Sequence, residues 1–461
     1  MEINQRMSKR FGWLLGVVVL VTIGALVACG SNYNQSSDGL VLVGSQGSGL
    51  IETFSFNPFN GHLTAIANTP TDTANEVCVL NGVPTSIVMN PAGTFAYVIL
   101  NANSACPGSS TGILTFKVNS DGSTTSGGSP VAFSQGTVTI LGTANTEKVN
   151  VVPSTMVMDA AGKFLFVADR ATTDAAGLYV PGAVSVFALG SGGSVTEVAG
   201  SPFFTTGTTN PATTVSQSSF DIVSVAPTPT VFPAIGVNGV QNSVCSAPGL
   251  SPPTTEYLYA VDGLGNQVFE FSVDTSSGVL TNPPNHTQPQ SFPADQIPAG
   301  VAVDPCNRFV YVSDSLSNKV SAYTMCNGSN TQSPTCPQTP DGSLVQISGS
   351  PFSLSGSSNG PGPLLVDPYG NNVYVMGTLS NTISPLKISP ISGSLTALTP
   401  ATVATGSQPK SMAIRADDNW LFVTNYNPPT VSQYSITPAT GALSVQPAFP
   451  TDNYPWGVAV K

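Results

Sequence analysis

Hydrophobic positions along this chain recur in a fixed order. An aromatic or aliphatic residue followed by Val or Ala centres six short β-rich stretches: Tyr97-Val98, Phe166-Val167, Tyr259-Ala260, Tyr311-Val312, Tyr374-Val375 and Phe422-Val423. Leu42-Val43 is a seventh, weaker copy. Each is followed by a strand with an apolar residue three before an aromatic or Leu: Ile51/Phe54, Ile113/Phe116, Val184/Phe187, Val268/Phe271, Val320/Tyr323, Ile383/Leu386 and Val431/Tyr434. The offset between the two markers is 12 residues in five copies, but 19 and 21 after Tyr97 and Phe166. That difference predicts insertions in this loop of units two and three.

Two further markers complete the unit. A turn glycine opens a last strand, as in Gly278-Val279-Leu280-Thr281 and Gly393-Ser394-Leu395-Thr396. Glycine there supplies the positive φ of a tight turn. A short apolar run precedes the first marker, as in Val301-Ala302-Val303, Leu364-Leu365-Val366 and Met412-Ala413-Ile414. Runs apolar at every position suit strands buried on both faces. A unit of four strands repeated this often is the signature of a repeat architecture. The first copy, from Leu40, lacks the innermost strand, and the last residues, Pro455 to Lys461, supply one with nothing after it. Three strands plus one complete a unit. The expected fold is all-β, a seven-bladed β-propeller of four-stranded blades whose C-terminal strand joins the N-terminal blade. Closure removes the edges that an open sheet would expose. A solenoid has no use for a split unit.

The N-terminus reads as an address. Arg6, Lys9 and Arg10 precede an uncharged apolar run, Phe11 to Ala28, which ends in Leu26-Val27-Ala28-Cys29. This pattern marks a secretory signal, and the cysteine after Leu-Val-Ala resembles a bacterial lipobox. The expected organisation is a signal peptide over 1–28, an acylated Cys29 with a polar tether over 29–39, and the propeller over 40–461. An uncleaved membrane anchor is the competing reading. The protein is then exported and held to the cell envelope, at the outer membrane or the periplasmic face, by lipid on Cys29. Loss of Glu2 and the three basic residues takes the net charge from −11 to about −13, which disfavours nucleic acid as a partner. Charged residues make up only 8% of the chain, their place taken by turn formers.

Six cysteines remain, an even set that reads as disulfides in an exported chain. In a propeller, loops between strands two and three and between blades share one face, and the other loops share the opposite face. Sequential pairing, Cys78 with Cys106, Cys245 with Cys306 and Cys326 with Cys336, keeps every partner on one face. No Cys-x-x-Cys pair exists and His62 and His286 lie far apart, so neither a metal nor a cofactor is expected.

Tyr311-Val312-Ser313-Asp314, Phe422-Val423-Thr424-Asn425, inner strands ending in Asp-Pro, Gly-x-Leu-Thr turns and Ser-Pro-Phe stretches at 201–203 and 350–352 resemble the seven-bladed lactonase-family propellers. These include 6-phosphogluconolactonase-like proteins and the surface-layer Tyr-Val-Thr-Asn repeats. The resemblance covers Leu40 to Lys461 and implies sugar-lactone hydrolysis, with His beside Pro at the head of inner strands. This chain has Pro84-Thr85, Pro153-Ser154, Pro298-Ala299, Pro361-Gly362, Pro409-Lys410 and Pro455-Trp456 there, and no histidine.

Candidate site residues follow from the strand ends. Asp169, Asp262, Asp314 and Asn425 close the second strand of four blades, all on the face of the loops between strands two and three. They form either a ring of acceptors at the channel mouth or caps of their own loops, the commoner behaviour of Asx residues. Asp159, Asp304 and Asp367 close inner strands on the opposite face and read as turn residues. Lys410 and Trp456 head adjacent inner strands, a cation beside an aromatic suited to an anion or sugar. Arg170 is expected to pair with Asp169, or to contact an anion. His62 and His286 are expected on the surface. A binding or scaffold module, monomeric, taking a carbohydrate, small molecule or protein at one face, is the expected function. The alternative is sugar-lactone hydrolysis with Asp169 or Asp314 as base and Lys410 or Arg170 on the oxyanion.

Overall fold

A computed structural model of the chain describes residues 39–66, 82–103, 108–139, 146–173, 179–204, 221–229, 255–284, 286–287, 289–327, 336, 341–355 and 359–461. The signal, Cys29 and the tether up to residue 38 lie outside these residues, as do Cys78, Cys106 and Cys245. Among the described residues the strands build seven blades, each an antiparallel meander from an innermost to an outermost strand. Blade five is representative: Pro298–Val303, Phe309–Asp314, Lys319–Met325 and Leu344–Gln346. Every innermost strand touches the innermost strands of both neighbouring blades, from blade one round to blade seven and back.

The ring closes as the split first unit requires. Pro455–Val460 pairs antiparallel with Gly39–Ser45, with Val41 opposite Val460 and Val43 opposite Val458. The Lys461 N–H donates to the Leu40 carbonyl at 2.9 Å. Across the joint, Phe56 of blade one lies edge-on to Trp420 and Phe422 of blade seven, each with centroids 5.2 Å apart, and the Trp420 indole donates to the Pro58 carbonyl at 3.0 Å.

The core lies between blades, and strand alternation puts it there. In Phe309-Val310-Tyr311-Val312, the valines pack against Tyr259 and Val261 of blade four, while Phe309 and Tyr311 pack against Val373 and Val375 of blade six. A period of two thus serves both interfaces at once. The tyrosines add a polar joint. The hydroxyls of Tyr259, Tyr311 and Tyr374 donate to the carbonyls of Gly342, Gly393 and Gly441 in the next blade, at 2.5, 2.9 and 3.0 Å. Those glycines hold φ of 85°, 69° and 74°, and a Cβ on Gly393 would stand 2.5 Å from the Phe309 ring. The Tyr-Val strand and the turn glycine are therefore two halves of one joint.

The outermost position differs from the expected single strand in five blades. In blade five both Leu344–Gln346 and Phe352–Ser353 pair with the third strand. Between them Pro351 lacks an N–H and Gly349 turns at φ 86°, so one ladder cannot run through. The Ser350 hydroxyl fills the gap by accepting the Ala322 N–H at 2.8 Å, and Ser201 does the same for Val186 in blade three at 3.1 Å. The predicted loop insertions are present. That of blade three carries a small hairpin, Thr172–Thr173 with Tyr179–Val180. A second hairpin, Gly136–Thr139 with Thr146–Val149, stands between blades two and three. Cys326 is bonded to Cys336, as sequential pairing requires, and Cys306 is disulfide-bonded.

Candidate ligand site at the channel mouth

Each inner strand enters the ring through a β-bulge at its head. The register slips after Pro84, Pro153, Ile222, Pro298, Pro361 and Pro409, and between Gly44 and Ser45 opposite Trp456. A bulge takes one residue out of the ladder and re-aims its side chain. The residues so placed are Thr85, Ser154, Val223, Ala299, Gly362 with Pro363, Lys410 and Trp456. Among them the only ionisable side chain is Lys410.

The approach to each bulge is held by a repeated device. Ile297, Gly360, Gln408 and Tyr454, each just before the proline, have φ of 52°, 60°, 54° and 59°. Their carbonyls accept the N–H groups of Ser315, Thr378, Tyr426 and Gln46. The N–H groups of the first three donate to Asn266, Asn318 and Asn381 of the preceding blade. These contacts stiffen the mouth where the bulges open.

Lys410 and Trp456 meet there. The Lys410 Nζ stands 4.7 Å from the Trp456 ring centroid and 5.0 Å from that of Tyr426. Tyr426 in turn stacks on Tyr454, centroids 4.6 Å apart, and meets Trp456 edge-on at 6.1 Å. Trp456 is located by its own carbonyl, which accepts the Thr424 hydroxyl at 3.0 Å. Among the described residues no carboxylate forms an ion pair with Lys410. An ammonium between aromatic faces keeps N–H donors for an anion while the rings offer stacking surface.

The strand-end Asp and Asn residues behave differently. Asp262 caps its own loop, taking the N–H groups of Leu264 and Gly265 at 3.1 and 2.9 Å and that of Asp221 at 2.9 Å. Asp169 and Asp314 are buried and accept the hydroxyls of Ser185 and Ser321 at 2.7 and 2.8 Å. Burial is the main cause that holds both carboxyls above their ordinary range, Asp314 at about 7. Asn425 is bound to Thr430 and Ser432. None of the four is exposed at the mouth.

Arg170 corrects an expectation. It does not pair with Asp169 but grips Asp221, at 2.8 Å from Nε and 2.6 Å from Nη2. Consecutive strand residues point to opposite faces, so Asp169 is turned away from its neighbour. Asp159 and Asp367 are turn caps as expected. Asp304, also in its turn, holds Arg308 in a buried ion pair that reaches the Gly370 carbonyl of blade six. His62 and His286 are exposed. Tyr426 and Tyr454 were missed from the sequence. Their signals were weak: one follows a strand-end Asn, the other precedes a strand-opening Pro.

The blades and their closure define a seven-bladed β-propeller. Residues 331–458 match the family described as Lactonase, 7-bladed beta-propeller. Among solved structures the chain is similar to the periplasmic gluconolactonase PpgL of Pseudomonas aeruginosa, at 17% identity and a TM-score of 0.60, covering 92% of this chain and 98% of that one. It is also similar to proteins described as candidate 6-phosphogluconolactonases from Bacteroides fragilis (16%, TM-score 0.60, 94% and 100% covered) and Bacteroides uniformis (18%, 0.59, 92% and 99%). No curated protein matches the chain.

Proposed function

We propose that this protein is an envelope-anchored binding module whose propeller takes a small anionic, ring-bearing ligand, a sugar acid or sugar phosphate, at the channel mouth. The observation that carries the reading is Lys410 set among Trp456, Tyr426 and Tyr454 in a bulge ring with no carboxylate and no histidine. The ammonium takes the anion and the rings take the apolar face of the sugar. Lipid on Cys29 holds the domain to the envelope.

Isothermal titration of the purified protein with a panel of sugar acids and sugar phosphates tests the site. Lys410→Ala should weaken binding tenfold to a hundredfold, the worth of a hydrogen bond to a charged group, about 1.5–3 kcal/mol. Trp456→Ala should weaken uncharged analogues as well. Unchanged affinity in both variants rejects the site. Cys29→Ser should move the protein out of the membrane fraction, and retention there at mature size rejects the anchor.

A second reading, sugar-lactone hydrolysis, draws on the gluconolactonase neighbours and on Asp314, whose carboxyl titrates near 7. A general base poised near neutrality is useful for activating water, yet here it is buried beneath the mouth. Lactone turnover well above the spontaneous rate, abolished by Asp314→Asn, would replace the binding reading.

A further inference from the structure

The connections between blades are clamped by a repeated pair, and one clamp is built from different chemistry. In blade five, Ser321 on the third strand accepts the N–H of Asp295 in the incoming connection at 3.3 Å and donates to Asp314 at 2.8 Å. In blade seven, Ser432 accepts the N–H of Gly406 at 3.2 Å and a donor of Asn425 at 2.9 Å. These serines lie opposite Val312 and Val423. The same register position in blade one, opposite Val43, is Glu52. The pair is inverted there: Ser45 at the strand exit donates to Glu52 at 3.0 Å, and both carboxylate oxygens face the N–H of Asp452 at 3.0 Å. Asp452 opens the segment that carries Tyr454 and Trp456, so the carboxyl stands at the root of the mouth site and at the ring-closing joint.

We infer that Glu52 is the positioning residue of the mouth: by gaining or losing one proton it sets how firmly segment 452–456 is held. Its consequence for ligand uptake rests on the mouth reading above; the clamp itself does not. Burial, opposed by the Asp452 N–H and the Ser45 hydroxyl, raises the carboxyl to about 7, with the Asp452 carboxylate adding to the rise. Asp452 is the charged group acting on it. Gly39–Ser45, Leu63–Ala65, Ala442–Pro450, Val83–Met89 and Pro455–Val460 bring no ionisable side chain. The contacts that make the clamp, the Asp452 N–H and the Ser45 hydroxyl, both donate to the carboxylate and are strongest on its charged form. Protonation as pH falls through about 7 therefore loosens the clamp. The mouth is held tightest above neutrality.

Hydrogen exchange of the purified protein, corrected for the intrinsic pH dependence of amide exchange, reads this directly. Protection of segment 452–456 should rise as pH climbs through about 7. Segment 405–408, held by Ser432 with the amide of Asn425 and no carboxyl, should not follow. Glu52→Gln and Glu52→Ser should flatten the profile of 452–456, the serine restoring the clamp used by blades five and seven. A pH-independent wild-type segment, or a slope that survives in Glu52→Gln, overturns the inference. A sloped segment in a protein that takes no sugar anion upholds the clamp and rejects the ligand instead.

Discussion

Deleting Pro455 to Lys461 tests the closed ring. The deletion removes the buried Val458 and Ala459 and uncovers Val41, Leu42, Val43 and Ile87, all within 5% of full burial. Losing one valine-sized burial costs about 2 kcal/mol, and the uncovered partners cost about as much again. Ladder hydrogen bonds opposite Val41 to Ser45 add roughly 1 kcal/mol each. Three anchors go with them: Lys461 N–H to Leu40, Arg415 to the Lys461 carbonyl, and Thr424 to the Trp456 carbonyl. The sum, about 8 kcal/mol, rivals the whole stability of a domain, ~5–15 kcal/mol. The truncated chain should unfold without cooperativity or aggregate through the bared edge of Gly39–Ser45. Urea unfolding followed by tyrosine and tryptophan fluorescence, with size-exclusion chromatography, gives the result. A soluble truncated monomer with the midpoint and slope of the full chain would refute the closure.

Tyr311→Phe and Tyr374→Phe should each cost about 1–3 kcal/mol, because each leaves a buried glycine carbonyl unmet. The costs should add in urea unfolding of the double variant, the two joints lying at different interfaces. Stability should also fall as pH rises. Burial lifts Glu256 to about 8 and Glu270 to about 9, both above their values in an unfolded chain. Groups raised in this sense stabilise fully in acid and lose that contribution as pH climbs through the folded value. Melting temperature should therefore drop between pH 5 and 9, with a smaller drop in Glu270→Gln; an equal drop in that variant would remove Glu270 as a cause.

The repeat was legible because each of its markers is local. Alternation in Phe309-Val310-Tyr311-Val312 commits its residues to two opposite interfaces whatever those interfaces contain. The marker offsets locate the insertions, and the unpaired end strands require closure. The burial of Asp314 and the loop-capping role of Asp262 were open between two readings, since an Asx residue at a strand end caps or faces out according to the turn beyond it. The split outer strand was not legible either, because it depends on a serine hydroxyl replacing one ladder bond. Only closure of the ring decided the mouth. It brings Glu52 to Asp452 and Tyr454 to Tyr426, whereas Arg170 turns to Asp221 rather than Asp169 through strand alternation alone. Local pattern determines which face of a strand a residue occupies; which distant chain meets that face is settled by the number of blades and the register in which the last strand pairs with the first.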